Sequence, residues 1–316
     1  LLFTESVVVS REGRISHHCA CLCDDATEAA MARVVGFCRR HGGARLGIQI
    51  GHAGPKGSAD TPWNGRRPYT PAEGAWPLVA PSPQAHDTGW PVPAQLDEGG
   101  MAEIRRQFAE TTARAARIGF DMAEMHAAHG YLLNAFLSPL TNRRNDGYGG
   151  GIGNRMRFPL EVFEAMRAAF PPERPLGVRI SATDWVEGGW TVEDSVVFAR
   201  ELKGLGCDFV DVSSGGVSPR QQVPVAPLYQ VPLAARIRAG AGLPVMAVGL
   251  IRDPADAEAI LARGEADFIA LGRGMLHDPR WAWHAAAALG AAAAYQIRYE
   301  RARPERHPQQ EDRTCS

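Results

Sequence analysis

A chain of 316 residues with 45% hydrophobic content can bury one large core, and at this length one α/β domain is the better expectation than two small ones. Its 34 Lys and Arg against 35 Asp and Glu leave a net charge of −1, which excludes a global field that would draw the protein to nucleic acid or an anionic membrane. No apolar run approaches the ~20 residues of a membrane span and no basic-then-apolar signal opens the chain, so a soluble cytoplasmic protein with a small neutral or anionic substrate is expected.

Along the chain, short apolar or β-branched runs alternate with longer helical patterns, the mark of repeated βα units and a parallel sheet. The first strand is expected at 2–9, directly at Leu1 and without an initiator Met, so a segment upstream is expected to be absent. A helix at 27–41 follows, with Thr27 placed to cap it, and a strand at 46–50. Residues 57–96 are rich in Pro, Gly and Trp without a sustained period, and are expected to form a long excursion over one face of the barrel. Then come a helix at 101–118, a strand at 121–126, a helix at 156–170 and a strand at 176–180. A helix at 191–205 opens on Thr191, and a strand at 209–212 and a helix at 227–239 lead to a strand at 245–248. The last expected pair is a helix at 254–263, with Asp253 as cap and Pro254 in its first turn, and a strand at 268–271. The alanine run at 285–294 reads as a plain surface helix, and 302–316 as a polar tail. Six cysteines do not make a disulfide framework in a chain this long, so reduced thiols are expected, with Cys19, Cys21 and Cys23 on one strand face.

The densest chemistry lies in EMHAAHGYLLNAFLSP, residues 124–139, where an apolar strand ends at His126 and a turn follows, the place where barrel enzymes carry their active sites. His126 and His129, three apart, can offer two N–H donors to one carbonyl or anionic oxygen, and Tyr131 just beyond can deliver a proton. Zinc ligation and a purely structural role compete with that clamp; the metal reading lacks third and fourth ligands nearby. Gly249 in AVGLI, and Gly272 with Arg273 in IALGRGML, follow two consecutive strands and could cradle a phosphate. Such sites commonly follow strands seven and eight of a barrel, whereas these follow the sixth and seventh counted from Leu1. One strand ahead of Leu1 would remove the mismatch. Arg179 ends the strand LGVRIS and needs an anionic partner, a ligand or a neighbouring carboxylate, and Gln49 in GIQIGHAG could meet a planar amide-like edge.

HAAHGYLLNAFLSPLTNRRNDGYGG, VRISATDWVEGGW, VDVSSGG and AVGLI with LGRGML, in this order, resemble the Old Yellow Enzyme family, in particular its bacterial NADPH dehydrogenase and ene reductase class. The resemblance runs from about Leu1 to Arg301. It implies a (β/α)8 TIM barrel over 1–301 that holds FMN noncovalently, takes electrons from NADPH or NADH and passes them to an activated alkene such as an enone. By position, it implies that His126 and His129 bind the substrate carbonyl and that Tyr131 is the proton donor. Arg179 and Gln49 would meet the flavin's pyrimidine edge, while Gly249, Gly272 and Arg273 would take its phosphate. Lys56 matches a family lysine near the entrance, with Pro55 where an arginine usually stands. Tyr299-Glu300-Arg301 resembles the segment that inserts an arginine into a neighbouring subunit, which implies a homodimer or homotetramer, although Arg303 replaces the usual aromatic.

The family's first strand, with its Ser-Pro-Met-Cys-x-Tyr run, has no counterpart here, so the expected barrel lacks that strand. A truncated, flavin-free vestigial barrel or binding protein is therefore the alternative to an FMN oxidoreductase, and a metal-dependent hydrolase a third. HHCACLC, residues 17–23, departs from the family pattern, and the relatives that carry an iron–sulfur cluster are excluded because only Cys315 follows Cys207.

Overall fold

The computed structural model describes residues 1–302. In its first part the chain runs β1 (Leu2–Val8), α1 (Asp25–His41), β2 (Leu46–Gly51), β3 (Val79–Ala80), β4 (Ala94–Gln95), α2 (Glu98–Ile118), β5 (Met122–Ala127), α3 (Leu132–Leu137) and α4 (Ile152–Ala169). It continues β6 (Leu176–Ser181), α5 (Val192–Gly204), β7 (Phe209–Ser213), α6 (Val231–Ala241), β8 (Val245–Ala247), α7 (Pro254–Ala262), β9 (Phe268–Ile269), α8 (Arg273–His277) and α9 (Trp281–Ala288). Seven strands form one parallel sheet in the order β1-β2-β5-β6-β7-β8-β9, each the strand expected at that place, and β3 pairs only with β4.

The sheet curls as a barrel wall does. Phe3 on β1 and Phe209 on β7 stand four strands apart, which in a flat sheet would separate them by roughly 19 Å at ~4.8 Å per strand. Their ring centroids are 6.3 Å apart. Glycine makes room for both rings: a Cβ on Gly47 would lie 2.5 Å from the Phe3 ring, and one on Gly177 2.4 Å from the Phe209 ring. Strands β2, β5, β6, β7 and β8 are buried on both faces, as parallel strands under covering helices must be, while the end strands β1 and β9 are partly exposed.

Several helices open earlier or later than expected, for local reasons. α1 begins two residues early because Asp24 is its cap: Asp24 Oδ1 accepts from Thr27 N at 2.8 Å, and Thr27 Oγ1 accepts from Asp24 N at 3.1 Å. Thr27 thus closes a capping box from inside the helix instead of starting it. α2 starts at Glu98 under an Asp97 cap, α4 starts at Ile152, and α6 starts only at Val231. Thr191 and Asp253 cap α5 and α7 as expected, with Pro254 in the first turn. The alanine run is helical only as far as Ala288.

The 57–96 excursion is built from short turns that dock on the loop after β1. His17 stacks on Tyr69 at 4.6 Å and bonds Glu73 O at 2.9 Å, and Trp76 Nε1 donates to Glu12 O at 3.0 Å. The expectation of reduced thiols fails at one place: Cys21 and Cys23 are disulfide-bonded, while Cys19, Cys38 and Cys207 are free. Their Cα atoms stand 5.6 Å apart, within the ordinary reach of a disulfide. No described helix is long and apolar enough to cross a membrane. Residues 303–316, including Arg303 and Cys315, lie outside the described residues.

Candidate active site

The site begins where β5 ends. His126 is buried, and its Nδ1 accepts the Ala128 N–H at 3.1 Å. Burial, then the charges of Arg179 and Lys56, push its imidazole down to about 3, so it is neutral at physiological pH. A neutral imidazole that accepts at Nδ1 carries its proton on Nε2. That Nε2–H donates to His129 Nδ1 at 3.3 Å, which puts the His129 proton on Nε2, where it donates to Ser213 Oγ at 2.7 Å. The two histidines form a directed relay ending on Ser213, with rings edge-on at 81°, and do not stand side by side. His129 is also held below the usual histidine range, by burial first and then by His126.

Tyr131 precedes the first turn of α3, with its ring 5.0 Å from that of His126. Its hydroxyl bonds to nothing among the described residues, and burial pushes its phenol above the ordinary value, so it keeps its proton. The turn that sets these three side chains is strained and tightly packed. His129 stands at φ +61 and Gly130 at φ +74, and a Cβ on Gly130 would fall 2.2 Å from Gly216 O. Lys56 closes the same contact from below, donating to His129 O at 2.8 Å and Gly216 O at 2.7 Å. The structure therefore buries Lys56 as a strut between two loops, with burial and the Arg66 charge lowering it to about 8.

One layer deeper, adjacent strands bring four polar side chains together. Gln49 on β2 is in register with Glu124 on β5, and its Nε2 donates to Glu124 Oε1 at 2.7 Å. Arg179 on β6 is in register with both His126 and Asp211, and its Nε lies 3.2 Å from Asp211 Oδ2. Glu124 and Asp211 are only 2% and 4% exposed. Burial, and then Asp211, push Glu124 up to about 8, and burial raises Asp211 against the pull of Arg179. The sequence reading missed Glu124, Asp211 and Ser213. Its signal was present: an acid in the middle of an otherwise apolar strand, two residues before His126 and so on the same side, is costly unless it is used.

The expected phosphate loops differ: Gly249 is packed, with a Cβ there 2.6 Å from Gln230 Nε2, and Gly272 is open. Gly249 has φ +122, followed by Leu250 at φ +53, at the end of β8. A Cβ on Gly272 would meet nothing within 4 Å, and Arg273 is exposed and pairs with no carboxylate among the described residues. Arg301 lies exposed on the final 3-10 turn, Ile297–Ala302, which packs through Tyr299 on Trp283 at 5.4 Å.

These residues fit FMN. The Arg179 guanidinium makes no hydrogen bond among the described residues although its Nε is buried, so it has N–H groups to give to an acceptor ring. Arg273 and the open backbone at Gly272 offer what a phosphate needs.

The profile of the NADH:flavin oxidoreductase / NADH oxidase family matches residues 1–291. An NADPH dehydrogenase of Geobacillus thermodenitrificans is 41% identical over 301 residues, which is 95% of this chain and 83% of that protein. Another, of Listeria monocytogenes, is 40% identical over 305 residues, 96% of this chain and 84% of its own. Among solved structures, morphinone reductase in complex with tetrahydroNAD superposes with a TM-score of 0.73 at 28% identity, covering 92% of this chain and 78% of that one.

Proposed function

Because the chain belongs to the NADH:flavin oxidoreductase / NADH oxidase family, the Old Yellow Enzyme group that its motifs resemble, we propose that it reduces electron-poor alkenes such as enones with electrons from NAD(P)H. FMN, the cofactor of this family, supplies the hydride exchange between nicotinamide and alkene when bound. The chain's own residues then have three tasks. Arg179, with Gln49 beside it, holds the ring's pyrimidine edge, and Gly249, Gly272 and Arg273 hold the phosphate. His129 Nε2–H exchanges Ser213 for the substrate carbonyl oxygen, with His126 behind it fixing the tautomer, so that an N–H points at the oxygen where negative charge develops. Tyr131 gives its proton to the alkene's α-carbon.

One observation carries this reading. The Tyr131 hydroxyl is unbonded among the described residues, protonated and beside the histidine relay, which is what a proton donor awaiting a substrate requires. Tyr131→Phe tests it: in anaerobic stopped flow, FMN reduction by NADPH stays within about twofold of native while alkene reduction slows ~100-fold or more. Equal loss in both half-reactions contradicts the assignment. Family membership disfavours the flavin-free alternative. Arg301, exposed in one chain, enters a neighbouring subunit on this reading; Arg301→Ala then raises KM for the alkene without changing the visible spectrum of the bound flavin.

A further inference from the structure

We propose that Glu124 stores a proton in the buried layer beneath the histidines, and that this proton keeps the positive charge of Arg179 available to the reduced form of FMN. The inference rests on the flavin reading above. It adds a positioning residue, on β5 two residues before His126, that sets the charge of the pocket floor.

The case starts from charge. Glu124 faces Gln49 from β2, Arg179 from β6, Asp211 from β7 and the Cys207 thiol just before β7, and no other ionisable group acts on it. Of these only Arg179 is positive. Two ionised carboxylates against one guanidinium would leave a net negative charge in a site almost closed to water, where an uncompensated charge is most costly. One retained proton makes the cluster neutral.

Geometry says where that proton resides. Gln49 satisfies one oxygen of Glu124, at 2.7 Å, which leaves the other free to carry hydrogen. Asp211 keeps Oδ2 on Arg179, at 3.2 Å, and its Oδ1 is buried with no donor among the described residues. Glu124 stands on β5, with β6 between it and β7, and forms no ion pair with Arg179 among the described residues, so of the two acids it is the one whose negative charge would go uncompensated. Asp211 pairs with the guanidinium and stays ionised, so Glu124 is the acid that holds the proton. The lift of Glu124 to about 8, by burial and then by Asp211, agrees with this assignment. The Glu124 proton is not transferred during the reaction; its role is to keep a second negative charge away from a ring that becomes negative on reduction.

The test is the affinity for oxidised and for two-electron-reduced FMN, measured anaerobically from pH 6.5 to 9.5 on native protein and on Glu124→Gln. The amide of Gln can accept from Gln49 through its oxygen and is neutral, so it keeps the charge of the protonated acid at every pH. In native protein the affinity for reduced FMN is expected to fall roughly tenfold as pH rises through 8, the order expected of one unit charge acting over several ångströms of protein, while that for oxidised FMN changes less than about threefold. Glu124→Gln is expected to show no such fall. Equal pH dependence in the two proteins, or none in the native one, overturns the inference while leaving the flavin reading intact; native protein that binds no FMN overturns that reading instead. Should Glu124→Gln not fold, native protein still decides by infrared spectroscopy: a protonated-carboxyl band at pH 7 that disappears above pH 8, and that Asp211→Asn shifts to lower pH, supports the proposal, and absence of the band at pH 7 overturns it.

Discussion

The β2–β5–β6–β7 arc and the β8–β9 end of the sheet carry the two halves of the proposed flavin site, and they are built in opposite ways. In the arc almost every polar group is already engaged: Gln49 on Glu124, Arg179 on Asp211, His126 on His129, His129 on Ser213, and Lys56 on two backbone carbonyls. At the other end the strands shrink to three and two residues, Gly272 and Arg273 face solvent, and Arg273 has no partner among the described residues. The first half is held in place before any ligand arrives, the condition under which fixed dipoles and N–H groups act on developing charge without reorganising. The second half offers open backbone at Gly272 and a cation without a partner among the described residues, which on the proposed reading a bound anion would order.

This contrast can be broken from the arc side first. Gly130→Ala puts a Cβ 2.2 Å from Gly216 O at a left-handed φ, and is expected to cost on the order of 3 kcal/mol in chemical unfolding. A loss below ~1 kcal/mol would mean that the two loops are not locked together.

Next in size is the acid response of the same half. Burial lowers His52 to about 4, and burial with Arg179 and Lys56 lowers His126 to about 3, whereas the unfolded chain protonates both near ~6.5. At each of these rings the unfolded state binds more protons below that value, so their contribution to stability falls by about 2 kcal/mol per ring between pH 7 and pH 5. Glu124, raised to about 8, holds its proton in the folded state and opposes that loss over the same range. Urea unfolding of His52→Gln is expected to lose about 2 kcal/mol less than native protein between pH 7 and pH 5, and an equal loss would show that the ring is solvated.

The open half responds differently. Arg273→Ala is expected to weaken FMN binding about tenfold while unfolding changes by less than ~0.5 kcal/mol, because its side chain holds nothing else in place. A clear loss of stability instead would erase the difference between the two halves. The smallest effect belongs to Ser213→Ala. It frees His129 Nε2–H from its acceptor at 2.7 Å, at a cost of ~1 kcal/mol in stability, and lowers KM for the alkene because a carbonyl no longer competes with the serine.

The two halves were also unequally legible in the sequence. All seven strands stand where β-branched runs place them, because a parallel strand buried on both faces is apolar along its length. Helix starts were harder. Asp24 and Thr27 are both good caps, and only the reciprocal bonds between them show which one is outside the helix. His126, His129 and Tyr131 could be read as a cluster from their spacing alone. The direction of their hydrogen bonds could not, since it depends on the positive φ of His129 and on Ser213, 84 residues away in the chain. Arg179 posed the choice between a ligand and a carboxylate; the structure supplies Asp211 as the carboxylate while leaving the guanidinium without a hydrogen bond among the described residues. Lys56 reads as an entrance residue and is in fact buried, because the Gly130–Gly216 contact that it braces is long-range.

The most direct test of the account is a single anaerobic titration. Protein purified with added FMN should be yellow at one flavin per chain, bleach on addition of NADPH, and regain its colour when cyclohexenone is added. Protein that takes up no FMN, or that bleaches and is not reoxidised by any electron-poor alkene offered, would contradict it.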